Sequence, residues 1–169
     1  MRVGILADAH DRLPAIAEFV RLFSDAGVEL VLHAGDYCSP FSLRPFAAGG
    51  MALAGVFGRN DGDREGLLAE AVKLVGAELY ASPHSVELEG QRVLLVHDIA
   101  DVAQRSVDAH AVVVHGHTHV AATERRGNSL LVNPGEACGW LYGTPRAAIL
   151  DLATGHVEPL ALEGDEWRR

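Results

Sequence analysis

The sequence predicts an α/β protein of 169 residues that forms one domain across residues 1–169. Up to about Gly76, short apolar runs alternate with amphipathic segments, and this β-α-β order gives parallel strands with crossover helices. After Gly76 the pattern changes to closely spaced strands separated by turn signals. Hydrophobic residues make up 49% and charged residues 22%, as in an ordinary globular protein.

The first half contains three predicted strands and two predicted helices. The apolar runs at residues 3–6, 30–32 and 51–57 have the length of buried strands. Pro14 suits the first turn of a helix, apolar residues follow at helical spacing, and Gly27 ends it. Residues 67–75 carry apolar side chains on one face of a second helix.

The second half is predicted to be mostly strands. They are residues 79–80, 85–88, 93–96, 111–114, 130–132, 147–152 and 156–160. One short helix is predicted within residues 99–107.

Charge and cysteine content restrict the class of protein. The 23 acidic and 14 basic residues give a net charge of −9, which disfavours a nucleic-acid groove or an anionic membrane as partner. Two cysteines are too few for a disulfide framework. The N-terminal stretch lacks the apolar segment of a signal peptide, and no apolar run reaches the length of a membrane span. We therefore expect a cytoplasmic protein.

Histidines and acidic residues follow the predicted strands rather than being scattered. They are Asp8 and His10, Asp36, Asn60 and Asp61, His97, and then His115, His117 and His119. Ligands of parallel sheets collect beyond the carboxyl ends of the strands. Alone, Asp8 and His10 could be a helix cap beside a surface histidine. His117 and His119 would face the same way on an extended segment and could share a metal. Five strands thus deliver nitrogen and oxygen donors to the same edge, which is stronger evidence for a functional site than any single residue.

These motifs resemble those of the calcineurin-like metallophosphoesterases. The matching segments are Asp8-Ala9-His10, Gly35-Asp36, Gly58-Arg59-Asn60-Asp61, His97 and Gly116-His117-Thr118-His119. The length and the Asn133-Pro134-Gly135 turn are similar to the small YfcE-type phosphodiesterases, whose eukaryotic relative is the phosphoesterase-fold subunit of retromer. The resemblance spans residues 3 to about 152. It implies a four-layer αββα sandwich.

The resemblance also implies two adjacent divalent metal ions. Asp8, His10, Asp36 and His119 would hold one ion, while Asp36 would bridge to a second ion held also by His97, His117 and an asparagine. Asp36 and His97 would be the catalytic residues. Manganese is the usual activator in the family, and iron, zinc or nickel would also suit these donors.

Arg59 departs from the family pattern because it stands where the asparagine ligand is expected. A guanidinium has no acceptor and cannot bind a metal. Three alternatives remain open: the loop slips so that Asn60 is the ligand, the second site is weakened, or Arg59 turns outward or binds the substrate phosphate.

Other polar residues near the motifs are predicted to have supporting or structural roles. We expect His33 and His115 to be structural partners, Cys38 to be a small buried side chain, and Glu136 to be a loop acid. The resemblance makes Asp61 a support for the metal ligands.

The resemblance implies metal-dependent hydrolysis of a small phosphodiester. The alternative is a metal-poor interaction scaffold like the retromer subunit, in which catalysis has been lost. Relatives often pair through strand-rich surfaces, so a homo-oligomer is possible.

Overall fold

The computed structural model describes residues 1–168, which form two β-sheets flanked by helices. The strands are β1 (Arg2–Leu6), β2 (Leu30–His33), β3 (Leu53–Val56), β4 (Leu79–Tyr80), β5 (His84–Leu88), β6 (Gln91–Leu95), β7 (Val112–Val114), β8 (Ala122–Arg126), β9 (Ser129–Asn133), β10 (Arg146–Asp151) and β11 (His156–Ala161). The helices are α1 (Leu13–Asp25), α2 (Arg44–Ala48), α3 (Arg64–Val75) and α4 (Gln104–Asp108). Short 3-10 helices cover Pro40–Leu43, Ile99–Asp101 and Glu166–Arg168.

Both sheets combine parallel and antiparallel strands. The first sheet has the order β11-β10-β1-β2-β3-β4, with β1 to β4 parallel and β10 antiparallel to β1. The second has the order β5-β6-β7-β9-β8, with β6, β7 and β9 parallel. The carboxyl ends of β1, β2 and β3 therefore share one sheet edge, as do those of β6 and β7.

The two sheets pack face to face and are covered by helices on their outer faces. Buried side chains of both sheets form the inner core, among them Ile5, Leu32, Leu95 and Val132. The helices α1, α2 and α3 bury a second apolar cluster on the outside of the first sheet. A smaller cluster, which includes Val107 of α4, covers the second sheet. These layers confirm the predicted αββα sandwich.

Close packing of α1 on the first sheet requires a glycine in β1. A Cβ atom at Gly4 would lie 2.8 Å from the ring of Phe23, which is fully buried. The ring therefore packs against the backbone of β1 at position 4. Gly4 is thus part of the packing that holds β1 in place.

The predicted strands of the first half are confirmed with small shifts in their bounds, while three elements differ from prediction. The helix predicted within residues 99–107 is divided into a 3-10 turn and α4. The strand β8 was not predicted because its five residues are all exposed and carry no apolar pattern. The short helix α2 was missed as well. Among the described residues, no helix has both the length and the apolarity to cross a membrane.

Candidate metal centre

The predicted site residues meet where the ends of the two sheets come together. Asp8 and His10 follow β1, Asp36 follows β2, Asn60 follows β3, His97 follows β6, and His117 and His119 follow β7. Contacts at the distances given below connect six of them, and the backbone N–H of the seventh, His117, donates to Asp8 Oδ2 at 3.0 Å. The first sheet supplies the carboxylates and the second supplies most of the imidazoles.

The backbone at this junction is unusual. Positive φ angles occur at Asp8 (53°), His10 (40°), Asp36 (61°), His117 (67°) and His119 (62°). Side chains other than glycine rarely adopt this left-handed conformation, and such strain collects at functional sites. The prediction that His117 and His119 lie on an extended segment is therefore wrong. The two imidazoles face different partners.

Asp36 lies at the centre of the cluster. The Nε2 atoms of His10 and His97 each lie 3.5 Å from Asp36 Oδ2. Both Nε2 atoms are buried and have no hydrogen-bond partner within residues 1–168. The other ring nitrogen of His97, Nδ1, lies 2.8 Å from the carbonyl oxygen of Ala34 and donates its proton there. Nε2 of His97 is then an unprotonated acceptor facing a carboxylate, an arrangement that fits a cation between them.

Asp8 and His119 form the neighbouring part of the cluster. His119 Nε2 lies 3.6 Å from Asp8 Oδ1, and the rings of His119 and His10 are stacked with centroids 5.2 Å apart. Burial raises the pKa of Asp8 to about 6, because the charged form loses its water. Bound cations would relieve this cost. The residues present thus fit a divalent metal centre.

The loop after β3 fixes the position of Asp36. The backbone N–H of Asn60 donates to Asp36 Oδ1 at 2.8 Å, and the Asn60 side-chain amide donates to Oδ2 at 2.7 Å. Burial alone would raise the pKa of Asp36, but these two hydrogen bonds hold it below its ordinary value. Asn60 contacts Asp36 through its nitrogen. Its predicted role as a metal ligand stays a prediction.

Asp61 closes the same loop. Its carboxylate accepts the backbone N–H groups of Gly58 (2.6 Å), Asp36 (3.1 Å) and Cys38 (2.8 Å). A Cβ atom at Gly58 would collide with Asp36 Oδ1 and lie 2.5 Å from the Asp36 backbone nitrogen. The loop can therefore approach Asp36 only with glycine at position 58. Asp61 has the supporting position that the resemblance implied.

Arg59 contacts two carboxylates in the segment that follows β6 of the second sheet. Its Nη2 lies 2.6 Å from Asp98 Oδ2 and 3.6 Å from Asp101 Oδ1, and its side chain is 54% exposed. The same Asp98 Oδ2 lies 3.4 Å from His117 Nε2. Sequence reasoning missed Asp98, although an acid directly after His97 was a visible signal.

Glu136 lies in the loop between β9 and β10, as predicted, but it is more than a loop acid. It is fully buried, and its Oε2 accepts a hydrogen bond of 2.8 Å from Nδ1 of His119. The carboxylate also accepts the backbone N–H groups of Leu141 and Tyr142. Its charge is stabilised by these donors, so its position beside His119 is structural support for the centre.

The remaining sequence predictions concern two histidines and a cysteine. His33 is fully buried, accepts the backbone N–H of Gly35 at 3.2 Å and stacks on Tyr37. His115 lies beside Asn133, with 3.5 Å between its Nδ1 and the amide nitrogen. Cys38 was predicted to be buried but is only partly so, and its Sγ lies 3.2 Å from His10 Nδ1. Cys38 therefore contacts a predicted ligand from outside the cluster.

An exposed apolar segment borders the centre. Trp140, Leu141 and Tyr142 are each about 60% exposed. The indole N–H of Trp140 donates to the carbonyl oxygen of His10 at 3.4 Å, and the guanidinium of Arg12 lies 3.8 Å from the Trp140 ring centroid. No periodic pattern in the sequence marks this segment.

Comparison with known proteins gives matches along nearly the whole chain. A model of the calcineurin-like phosphoesterase superfamily domain matches residues 1–155. A phosphodiesterase of Methanocaldococcus jannaschii is 34% identical over 168 residues, covering 96% of this chain and all of the relative. The solved structure of an archaeal phosphodiesterase has a TM-score of 0.90 at 31% identity, over 96% of this chain and 100% of that one.

Two more distant structures share the fold. The Escherichia coli phosphoesterase YfcE is 21% identical with a TM-score of 0.70, over 96% of this chain and 100% of that chain. A Vps29 mutant of Entamoeba histolytica is 20% identical with a TM-score of 0.67, over 97% of this chain and 99% of that chain. Both kinds of neighbour were expected from the sequence motifs.

Proposed function

The chain belongs to the calcineurin-like phosphoesterase superfamily, and from this premise we propose that it is a phosphodiesterase that uses two divalent metal ions, with manganese as the activator. One observation carries the proposal. Two buried imidazole Nε2 atoms, those of His10 and His97, face the same oxygen of Asp36 and have no hydrogen-bond partner within the described residues. The activity of the relative from Methanocaldococcus jannaschii supports the substrate class.

The ligand set divides around Asp36. We infer that Asp8, His10 and His119 would hold one ion with Asp36, and that His97 and His117 would hold the other with the same carboxylate. When bound, the ions would supply Lewis acidity toward the phosphate oxygens and activate a water for attack. They would also provide local positive charge that a chain of net charge −9 otherwise lacks.

The protein's own contribution is to fix these donors before substrate arrives. The two amide donors of Asn60 keep Asp36 ionised and oriented. The carbonyl of Ala34 and the carboxylate of Glu136 each accept a hydrogen bond from Nδ1 of a histidine, so that Nε2 faces the centre. Preorganised donors of this kind lower the reorganisation cost of the reaction.

A metal-poor scaffold is the second candidate function. Arg59, in the place of an expected ligand, favours it, and the likeness to Vps29 shows that the fold is shared. The enzyme is favoured because the chain retains the predicted carboxylate and imidazole ligands. A scaffold has no need of strained backbone and unpaired buried nitrogens at this position.

Metal content and hydrolysis of bis-p-nitrophenyl phosphate test the proposal together. We expect the purified protein to bind two Mn²⁺ per chain and to hydrolyse this diester only when they are present. Asp36→Asn should lose both properties, whereas Asp25→Asn, at an exposed carboxylate on α1, should keep them. Hydrolysis that survives both chelation and Asp36→Asn would contradict the proposal, as would a folded protein that binds no metal.

A further inference from the structure

We propose that Asp98 supplies an oxygen ligand at the second metal position, in place of the asparagine expected where Arg59 stands, and that Arg59 is the charge partner that holds Asp98 there. This inference rests on the proposed metal-dependent function. It changes the identity of one ligand and gives Arg59 a defined role.

The first support is the distance between Asp98 and His117. Two adjacent ligand atoms that each lie about 2.1 Å from one ion are separated by about 3.0 Å in octahedral and about 3.4 Å in tetrahedral geometry. Asp98 Oδ2 and His117 Nε2 are 3.4 Å apart. The ring of His97, whose Nε2 is buried and unpartnered, lies 5.2 Å from the ring of His117. Asp98 thus adds an oxygen where the family arrangement has lost one.

The second support is that the Asp98 carboxylate is held at both oxygens. Oδ1 accepts the backbone N–H of Ala100 at 3.0 Å, and Oδ2 accepts from Arg59 Nη2 at 2.6 Å. A carboxylate oxygen has a second lone pair, so Oδ2 can accept from Arg59 and still face an ion. The Asp98 side chain is only 11% exposed, which favours a fixed orientation.

The third support is the charge balance. An asparagine ligand is neutral, whereas Arg59 adds one positive charge and Asp98 adds one negative charge. The pair leaves the net charge at the second position unchanged. Either residue without the other would change the attraction of this position for a divalent cation.

A different role for Arg59 would be to stand in for the second ion as a fixed cation. That role would require the guanidinium to lie against Asp36 and His97. Instead its Nη2 contacts Asp98 and Asp101, and half of the side chain is exposed. The contacts therefore favour Arg59 as a partner of Asp98.

Metal stoichiometry and calorimetric titration with Mn²⁺ test the inference. Asp98→Asn removes the charge but keeps the size of the side chain and an acceptor for the Ala100 N–H. We expect it to retain one tightly bound Mn²⁺ and to bind the second at least tenfold more weakly than the parent. The spin-coupled manganese-pair signal in electron paramagnetic resonance should be lost. Asp101→Asn is the matched control, since Asp101 contacts the same guanidinium but is 55% exposed. It should behave as the parent does.

A rescue variant keeps the test independent of folding. Arg59→Asn in the Asp98→Asn background places an asparagine where the family has its ligand and should restore the second ion. If Asp98→Asn binds two ions with unchanged affinity, the inference is overturned while the proposed function stands. If the parent binds only one ion, Asp98 is not a ligand and the inference is overturned. If the parent binds none, the proposed function fails as well.

Discussion

Glu136 and His119 are joined by a hydrogen bond of 2.8 Å between the carboxylate Oε2 and the imidazole Nδ1. This bond sets the tautomer of His119, so that Nε2 faces Asp8. The same buried carboxylate accepts the N–H groups of Leu141 and Tyr142 in the exposed segment that borders the centre. One side chain thus connects a predicted metal ligand to the rim of the site.

Glu136→Gln should weaken metal binding at the first position by about 10–100-fold, the usual cost of removing a partner behind a metal-ligating histidine. A glutamine has one acceptor oxygen and one NH₂ group, so it cannot accept from His119 on one side and from two backbone amides on the other. Calorimetric titration with Mn²⁺ measures the change. Glu124→Gln, on the exposed strand β8, serves as the control. Equal affinities in the two variants would contradict the role assigned to Glu136.

Gly58→Ala should displace Asp36 and with it the metal centre. The added methyl would collide with Asp36 Oδ1 and with its backbone nitrogen, which are held by the same loop. Overpacking of this kind costs about 1–3 kcal/mol of unfolding free energy. We expect a lower Tm together with loss of bound Mn²⁺. Gly62→Ala is the matched control, because a Cβ there meets nothing within 4 Å. A variant at position 58 that keeps parental metal content would refute the steric argument.

His33 should make stability depend on pH. Burial lowers its pKa to about 3, from 6.5 in an exposed histidine, so the folded protein keeps it neutral. Between these values the unfolded chain binds a proton that the folded chain does not, and stability therefore falls as pH decreases from about 6.5 to 3.

The size of this effect can be measured by denaturant unfolding between pH 4 and 6.5. One such group contributes up to about 1.4 kcal/mol per pH unit. His33→Asn keeps an acceptor for the Gly35 N–H but does not titrate. The slope of its unfolding free energy against pH should therefore be smaller than the slope of the parent by up to this amount. His156→Asn, at an exposed position, should leave the slope unchanged. Parallel curves for the parent and His33→Asn would contradict the prediction.

Metal binding should stabilise the fold, because two buried carboxylates, Asp8 and Asp36, lie together at the centre. Free Mn²⁺ at 100 times its Kd adds about 2.7 kcal/mol to the unfolding free energy. For a chain of this length that corresponds to a Tm increase of about 5–10 °C. Differential scanning calorimetry with and without chelator measures this increase in Tm. Asp36→Ala should show no increase, and a parental Tm that is insensitive to chelation would count against the centre.

Much of the fold and the main ligand positions could be predicted from sequence, because both follow from apolar runs and from the residues that come after them. The exposed strand β8 could not, since edge pairing with β9 and not burial defines it. Asp98 and the supporting role of Glu136 were missed for a different reason. Arg59 reaches Asp98 across the junction of the two sheets, whereas His119 and Glu136 follow the neighbouring strands β7 and β9 of the second sheet. The place of Asp98 after His97 is visible in the sequence, but the contacts that give these two acids their roles are not.

The position of β1 inside its sheet has a consequence for biosynthesis. β1 pairs with β2 on one side, but its other edge is completed by β10, with Arg2 opposite Asp151. At ribosomal speeds of about 5–20 residues per second, this edge waits roughly 7–30 s for its partner. An unpaired apolar strand edge is a template for aggregation. The nascent chain therefore exposes this edge to pairing with other chains until residues 146–151 have emerged.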